Sequence, residues 1–267
     1  MKLAVIGCGK MGSALVGGMV KSGAFSPADL VGFDAYQPSA EALSKASGIG
    51  LATSSEQALA DAEGMLICVK PADIAPLGAA LRGLSGRSRL VISIAAGVTL
   101  ASLQEAFGSE HRIVRVMPNT PALVGIGVAG IAPGEGVEEE DLAVVEKIFS
   151  SVGTTMQVPE KLIDAVTGVS GSGPAYVYTF IEALADGGVL MGLPRDKAIE
   201  SAAQTVMGAA KMVLETGLHP AQLRDQVTSP GGTTIAGLEV LEEEGIRSAV
   251  MGAVRAATER AEELGRA

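Results

Sequence analysis

The sequence predicts an α/β fold in two parts, an N-terminal doubly wound, mostly parallel sheet followed by an all-helical C-terminal domain. Short apolar runs recur through the first part of the chain with helix-length segments between them. Those runs are continuously apolar rather than alternating, the pattern of strands covered on both faces by crossover helices. From about Glu160 the runs cease, and the rest of the chain reads as helices punctuated by glycine and proline. At 267 residues a two-domain chain is expected, divided as residues 1–159 and 160–267.

In chain order the candidate strands are Leu3–Ile6, Leu30–Phe33, Met65–Val69, Leu90–Ile94 and Ile113–Val116, with a further strand near Gly127–Ile131. The acidic run Glu138 to Asp141 reads as the solvated start of a helix, where negative charge complements the helix dipole, rather than as a metal site. The helices beyond Glu160 are separated at Gly171–Pro174, Gly192–Pro194, Gly217–Pro220 and Pro230–Gly232. The segment Ala175–Leu190 is apolar around most of its circumference, which suits either an oligomer interface or a helix central to its own domain.

Hydrophobic residues make up 48% and charged residues 19% of the chain, a globular composition. Aromatic residues are only 3% and there is no Trp, so the core is built from small aliphatic side chains beside 35 glycines. The formal charge of −10, with no basic cluster, argues against nucleic-acid binding and toward a small-molecule partner. Cys8 and Cys68 have neither disulfide nor metal spacing and suit a reducing cytoplasm. The apolar start is broken at Gly7 and lacks a cleavage site, and no apolar stretch reaches membrane-spanning length, so neither a signal peptide nor a membrane segment is expected.

Gly7-Cys8-Gly9-Lys10-Met11-Gly12 directly follows the first strand and opens a helix, the context in which a G-x-G-x-x-G spacing is informative. Gly7 permits the tight turn, Gly9 lets backbone approach a pyrophosphate, and Gly12 lets helix and strand pack, while the helix N-terminus favours the anion. The first domain therefore reads as a Rossmann-type dinucleotide-binding domain. Asp34 ends the second strand close to the spacing of about 20 residues at which an acidic side chain accepts bonds from the adenosine ribose. A carboxylate there repels a 2′-phosphate, and no Arg lies between Val31 and Leu51 to hold one, so the local residues favour NADH over NADPH. The alternative role for Asp34 is that of a turn or capping residue.

Further segments carry a resemblance: Cys68-Val69-Lys70-Pro71 at the end of the Met65–Val69 run, Val169-Ser-Gly-Ser-Gly-Pro-Ala-Tyr176, and Val227-Thr-Ser-Pro-Gly-Gly-Thr-Thr-Ile-Ala-Gly-Leu238. Ser93-Ile-Ala-Ala-Gly-Val98 and Arg115-Val-Met-Pro-Asn-Thr-Pro121 extend it over essentially the whole chain. With the glycine loop, these make the chain resemble the pyrroline-5-carboxylate reductases, and Ser-Pro-Gly-Gly-x-Thr is the most specific part. The resemblance implies reduction of 1-pyrroline-5-carboxylate to L-proline with NADPH or NADH, without metal, in a homo-oligomer of helix-swapped dimers. Carried over, Val69, Lys70 and Pro71 lie along the cofactor, Ala95, Ala96 and Gly97 near the nicotinamide, and Ser55 near the adenosine. Ser229, Gly231, Gly232, Thr233 and Thr234 form the substrate loop, with Thr234 and Ser229 as the catalytic pair. The position of Asp34 varies in the family and often carries small or basic residues, which leaves the preferred cofactor open.

These residue types suit the chemistry. A protonated cyclic imine accepts hydride readily, so the protein has chiefly to position two reactants in a dry site. Converging amides in a Pro-Gly-Gly turn that opens a helix suit a carboxylate. The Thr234 hydroxyl can donate or accept toward the ring nitrogen but is too weak an acid to be the sole proton source. The alternative is that Thr233 and Thr234 cap a helix starting near Ile235. Similarly, Ser170-Gly-Ser-Gly-Pro is either a helix break with Pro174 in the first turn or a ligand-lining segment. His111 and His219 read as surface or turn residues. Two competing functions remain: a β-hydroxyacid dehydrogenase, whose catalytic lysine would have to be Lys197 or Lys211, neither in a suitable context, and a noncatalytic dinucleotide-sensing protein.

Overall fold

The computed structural model describes residues 1–82 and 88–266. They form two compact units, one within residues 1–172 and 255–266, the other of residues 173–254. The first contains an eight-stranded sheet, β1 Leu3–Ile6, β2 Leu30–Phe33, β3 Gly50–Leu51, β4 Gly64–Ile67, β5 Leu90–Ser93, β6 Arg112–Met117, β7 Gly127–Pro133 and β8 Gly153–Gln157. Strand order is β3-β2-β1-β4-β5-β6-β7-β8. Every pairing is parallel except β6 with β7. Around it lie α1 Lys10–Lys21, α2 Gln37–Ser47, α3 Ser55–Leu59, α4 Ile74–Leu81, α5 Leu100–Phe107, α6 Glu139–Ser150 and α7 Ile163–Val166.

Continuous hydrophobicity in the strands does correspond to burial on both faces, as β1, β4 and β5 are buried at every position. In β1, Leu3 and Val5 pack with Leu15, Val16 and Met19 of α1 and with Val145, Ile148 and Phe149 of α6. Ala4 and Ile6 point the other way, into a layer with Leu59 of α3, Ile74 and Leu81 of α4, and Leu103 and Phe107 of α5. Each large side chain buried this way contributes about 1.5–3 kcal/mol, which anchors the strand ends from which the loops emerge.

Two strands went unpredicted for physical reasons. β3 has only two residues, and the Gly-Thr-Thr-Met-Gln of β8 is a polar edge strand with little buried surface. The acidic run does open α6, with a reciprocal capping box between Glu138 and Asp141. Asp141, however, is buried rather than solvated, because it takes a two-pronged bond from Arg112 at 2.7 and 3.1 Å. That bond also holds the Arg112 guanidinium above its usual range.

The second unit is helical: α8 Gly173–Leu190, α9 Arg195–Thr216, α10 Pro220–Gln226, α11 Thr233–Glu243 and the start of α12 Ile246–Arg266, whose last turns belong to the first unit. Helices α8 and α9 pack through Ala185, Ala198 and Ala202, with Ile181 and Val189 beside them. Val177, Tyr178, Phe180, Leu184, Leu190 and Met191 of the same region are exposed. So much large apolar surface on one small helical unit is the pattern of a protein interface. No helix among the described residues is long and apolar enough to cross a membrane.

Candidate active site

The glycine loop is shaped by contacts that tolerate no side chain. Gly7 has φ +100°, and a Cβ there would lie 2.7 Å from the Cys68 carbonyl carbon and oxygen, so β1 and the β4 loop meet backbone to backbone. The Gly12 Cα faces the Gly7 carbonyl oxygen too closely for any substituent, which seats α1 against the strand. Gly9 differs, since a Cβ there would meet nothing within 4 Å. It is the N-cap of α1 and offers no side-chain cap, so the first-turn amides face open space that a phosphate fits.

Asp34, at the end of β2, accepts the Cys8 N–H at 2.7 Å with one carboxylate oxygen and the Tyr36 N–H at 2.8 Å with the other. It therefore braces the glycine loop from the next strand, in addition to any role toward a ribose. Burial, with the nearby Asp34 carboxylate, pushes the Cys8 thiol up to about 12, and burial likewise raises Cys68, so both are inert thiols. A cavity of about 390 Å³ runs along this loop, lined by Gly7, Gly9, Asp34, Val69 and Lys70 among others. Of the remaining predicted cofactor residues, Lys10 is exposed at the start of α1 and Met11 packs on the core beneath it. Ser55 is buried at the start of α3, outside this lining, where its hydroxyl donates to Glu56. Pro71, Ala96 and Gly97 line a neighbouring cavity of about 690 Å³ that ends at Leu264 and Gly265, while Ala95 is buried behind them. All these loops leave the carboxyl ends of adjacent parallel strands, where ligands bind in sheets of this kind.

The Ser229–Thr234 loop lies in the helical unit. Gly231 has φ +64°, which a side chain would oppose, and the Gly232 N–H closes the turn on the Ser229 carbonyl at 3.1 Å. The Ser229 hydroxyl sits directly over the Gly232 Cα, where a Cβ would collide with it. Helix α11 begins at Thr233, not near Ile235, and its N-cap is Gly232 without a side-chain cap. Thr233 and Thr234 are thus inside the first turn and do not cap it. Like α1, α11 thus begins at a glycine N-cap that supplies no side-chain cap.

Sequence reasoning assigned no individual role to several of the buried polar residues, Arg115 and Asn119 among them. Arg115, 4% exposed in β6, pairs with Glu160 at 3.3 Å and Asp164 at 3.1 Å, and Glu160 also accepts the Leu100 N–H at 2.6 Å. A lone cation within the apolar run Ile113–Met117 was the available signal, since such a charge is buried only when paired. Asn119 is buried between the end of β6 and residues 167–171, which form one turn of π-helix. His219 is a turn residue as expected, capping α10. His111 lies beside a turn but is buried, not at the surface, and its Nδ1 accepts the Arg89 N–H at 3.2 Å. Among the described residues no group of three His, Cys, Asp or Glu side chains is placed to hold a metal ion.

Comparison with known proteins places this geometry. A family model described as pyrroline-5-carboxylate reductase dimerisation matches residues 160–264, and one described as NADP oxidoreductase, coenzyme F420-dependent, matches residues 2–97. The chain is 49% identical to the pyrroline-5-carboxylate reductase of Methanosarcina acetivorans over 99% of its own length and 98% of that protein's. It is 45% identical to the Escherichia coli enzyme of the same name, over 98% of each. Among solved structures, a pyrroline-5-carboxylate reductase from Coxiella burnetii superposes with a TM-score of 0.94 at 35% identity, covering 98% of each chain. The Plasmodium falciparum pyrroline carboxylate reductase with NADP bound superposes with a TM-score of 0.88 at 35% identity, covering 99% of this chain and 98% of that one.

Proposed function

Because the chain belongs to the pyrroline-5-carboxylate reductase family, we propose how its residues divide the work of reducing 1-pyrroline-5-carboxylate to L-proline with a reduced nicotinamide dinucleotide. The observation that carries the division is the pair of glycine-capped helix N-termini, α1 at Gly9 and α11 at Gly232, neither closed by a side chain. Each is a site for one anion. The amides of α1 take the pyrophosphate, for which Gly9 leaves room, and Lys70 supplies a cation at the same cavity. Val69, Pro71 and Ala95 to Gly97 lie along the cofactor toward the nicotinamide. The amides of α11, with Gly231, Gly232 and Ser229, take the substrate carboxylate, leaving Thr234 to hold the ring nitrogen.

When bound, the reduced nicotinamide supplies the hydride that adds to the imine carbon while the ring nitrogen carries a proton. The protein's part is orientation and exclusion of water. We further propose NADH as the better cofactor, supported by the Asp34 carboxylate and the lack of a nearby Arg in sequence. The exposed apolar faces of α8 and α9 support self-association through residues 160–267, the substrate-binding and dimerisation region, while residues 1–159 bind the dinucleotide. The free thiols support a reducing cytoplasmic setting, and the net charge of −10 supports a small-molecule rather than a nucleic-acid or membrane partner.

The test is oxidation of NADH and NADPH by the purified protein with and without 1-pyrroline-5-carboxylate, with proline measured as product. Cofactor oxidation that requires this imine and yields proline in equal amount is expected. Binding of cofactor without turnover would favour a sensing role.

A further inference from the structure

The Arg115–Pro121 segment belongs to neither the dinucleotide loops nor the substrate loop, yet it contains a buried amide with both ends engaged. The Asn119 Oδ1 accepts the Val128 N–H at 2.9 Å, and its Nδ2 donates to the Ser170 carbonyl at 3.0 Å. Its orientation is fixed by chemistry, because only the oxygen can meet an N–H and only the nitrogen can meet a carbonyl. Asn119 is 8% exposed, so neither bond is readily replaced by water.

The place of these bonds in the fold gives them meaning. Strands β1, β4, β5 and β6 are adjacent and parallel, so Asn119, just past the end of β6, lies on the same sheet edge as the loops at Gly7, Val69 and Ala95. Its nitrogen reaches a turn with an irregular hydrogen-bond pattern. In the π-helix Thr167–Gly171 the Ser172 N–H bonds to the Thr167 carbonyl, five residues back, at 2.8 Å. Single turns of this type are frequent at functional sites, where the widened helix re-aims backbone groups. The Met117 side chain lies against Gly171 of the same turn. One short segment, Met117 to Asn119, thereby fixes both the start of β7 and the wide turn.

We propose that Asn119 is a positioning residue for hydride transfer: its Nδ2–H holds the Ser170 carbonyl, and with it the Thr167–Ser172 turn, at the edge of the sheet that carries the dinucleotide loops. The proposal rests on the family reading of the site. It separates the two ends of the amide, since the acceptor end braces β7 and the donor end sets the turn.

The experiment compares Asn119→Ala and Asn119→Asp with the unaltered protein, measuring kcat, KM for 1-pyrroline-5-carboxylate, dinucleotide Kd by fluorescence, melting temperature and the pH profile of kcat. The Asp variant keeps an acceptor for Val128 and, when ionised, cannot donate to Ser170. At neutral pH both variants are expected to lose about ten- to a hundredfold in kcat, the scale on which a displacement of about 1 Å acts, with dinucleotide Kd within about twofold. As pH falls and the new carboxylic acid regains a proton to donate, Asn119→Asp should recover relative to the unaltered protein, whereas Asn119→Ala should not. Normal turnover by folded Asn119→Asp at neutral pH overturns the proposal, as does a loss in both variants that only tracks the melting temperature or the dinucleotide Kd. Should alanine prevent folding, the Asp variant decides by itself. Absence of turnover in the unaltered protein would instead overturn the family reading.

Discussion

Replacing Asp34 with asparagine keeps the size of the side chain and removes its charge, separating the two functions its carboxylate can serve. One oxygen takes the Cys8 N–H at 2.7 Å and the other the Tyr36 N–H at 2.8 Å. An asparagine can satisfy one of these donors and must turn its own NH₂ toward the other. Losing one charge-assisted bond of this kind costs about 1.5–3 kcal/mol. At about 2–4 °C per kcal/mol for a protein of this size, the melting temperature should fall by about 3–12 °C. The effect on cofactor choice is separate. A carboxylate about 4 Å from a 2′-phosphate costs about 1 kcal/mol per charge pair in bulk water and about 4 kcal/mol near a protein surface. Removing it should therefore raise kcat/KM for NADPH relative to NADH by at least about fivefold, whatever the common loss from a looser glycine loop. Asp34→Ser should shift the ratio the same way. The assay is initial rates with both dinucleotides at fixed imine, alongside thermal unfolding. If melting falls and the ratio stays within about twofold, Asp34 is a loop brace only, and the argument for NADH fails.

Thr234→Ala should lower kcat/KM by about five- to two-hundredfold, corresponding to about 1–3 kcal/mol of hydrogen bonding, with NADH affinity nearly unchanged and Ser restoring much of the rate. Normal turnover in the folded alanine variant would remove Thr234 from the mechanism. His111 is held below its usual value of 6.5, mainly by burial, and its Nδ1 must be unprotonated to accept the Arg89 N–H. The unfolded chain therefore takes up the proton first as pH falls, so this residue's contribution to stability is full above pH 6.5 and declines below it. Melting curves between neutral and mildly acidic pH should show that decline, and His111→Gln should flatten it; parallel profiles would count against the assignment. On α8, Val177, Phe180 and Leu184 are exposed at spacings that place them on one helix face. Phe180→Asp with Leu184→Asp should reduce the mass measured by sedimentation, and an unaltered mass would place the self-association surface elsewhere.

The residues of β1, β4 and β5 announced their place because short, continuously apolar runs bounded by turn residues suit burial on both faces, and the glycine spacing announced its loop because Gly7 and Gly12 each answer a separate steric demand. Local chemistry of this kind is written in consecutive residues. The edge strand β8 was not legible, since polar residues paired on one side carry no burial pattern. Nor was the capping of α11, because only the backbone shows that the helix starts at Thr233 and leaves both threonines inside its first turn. The polar residues with partners distant in sequence lay furthest from view. Asp34 bonds across to Cys8, Arg115 to Glu160 and Asp164, and Asn119 to Ser170, partners 26 to 51 residues away in the chain. A polar side chain goes into the interior only when a partner meets it there, and which partner does so is decided by the packing of sheet and helices, not by its neighbours in sequence.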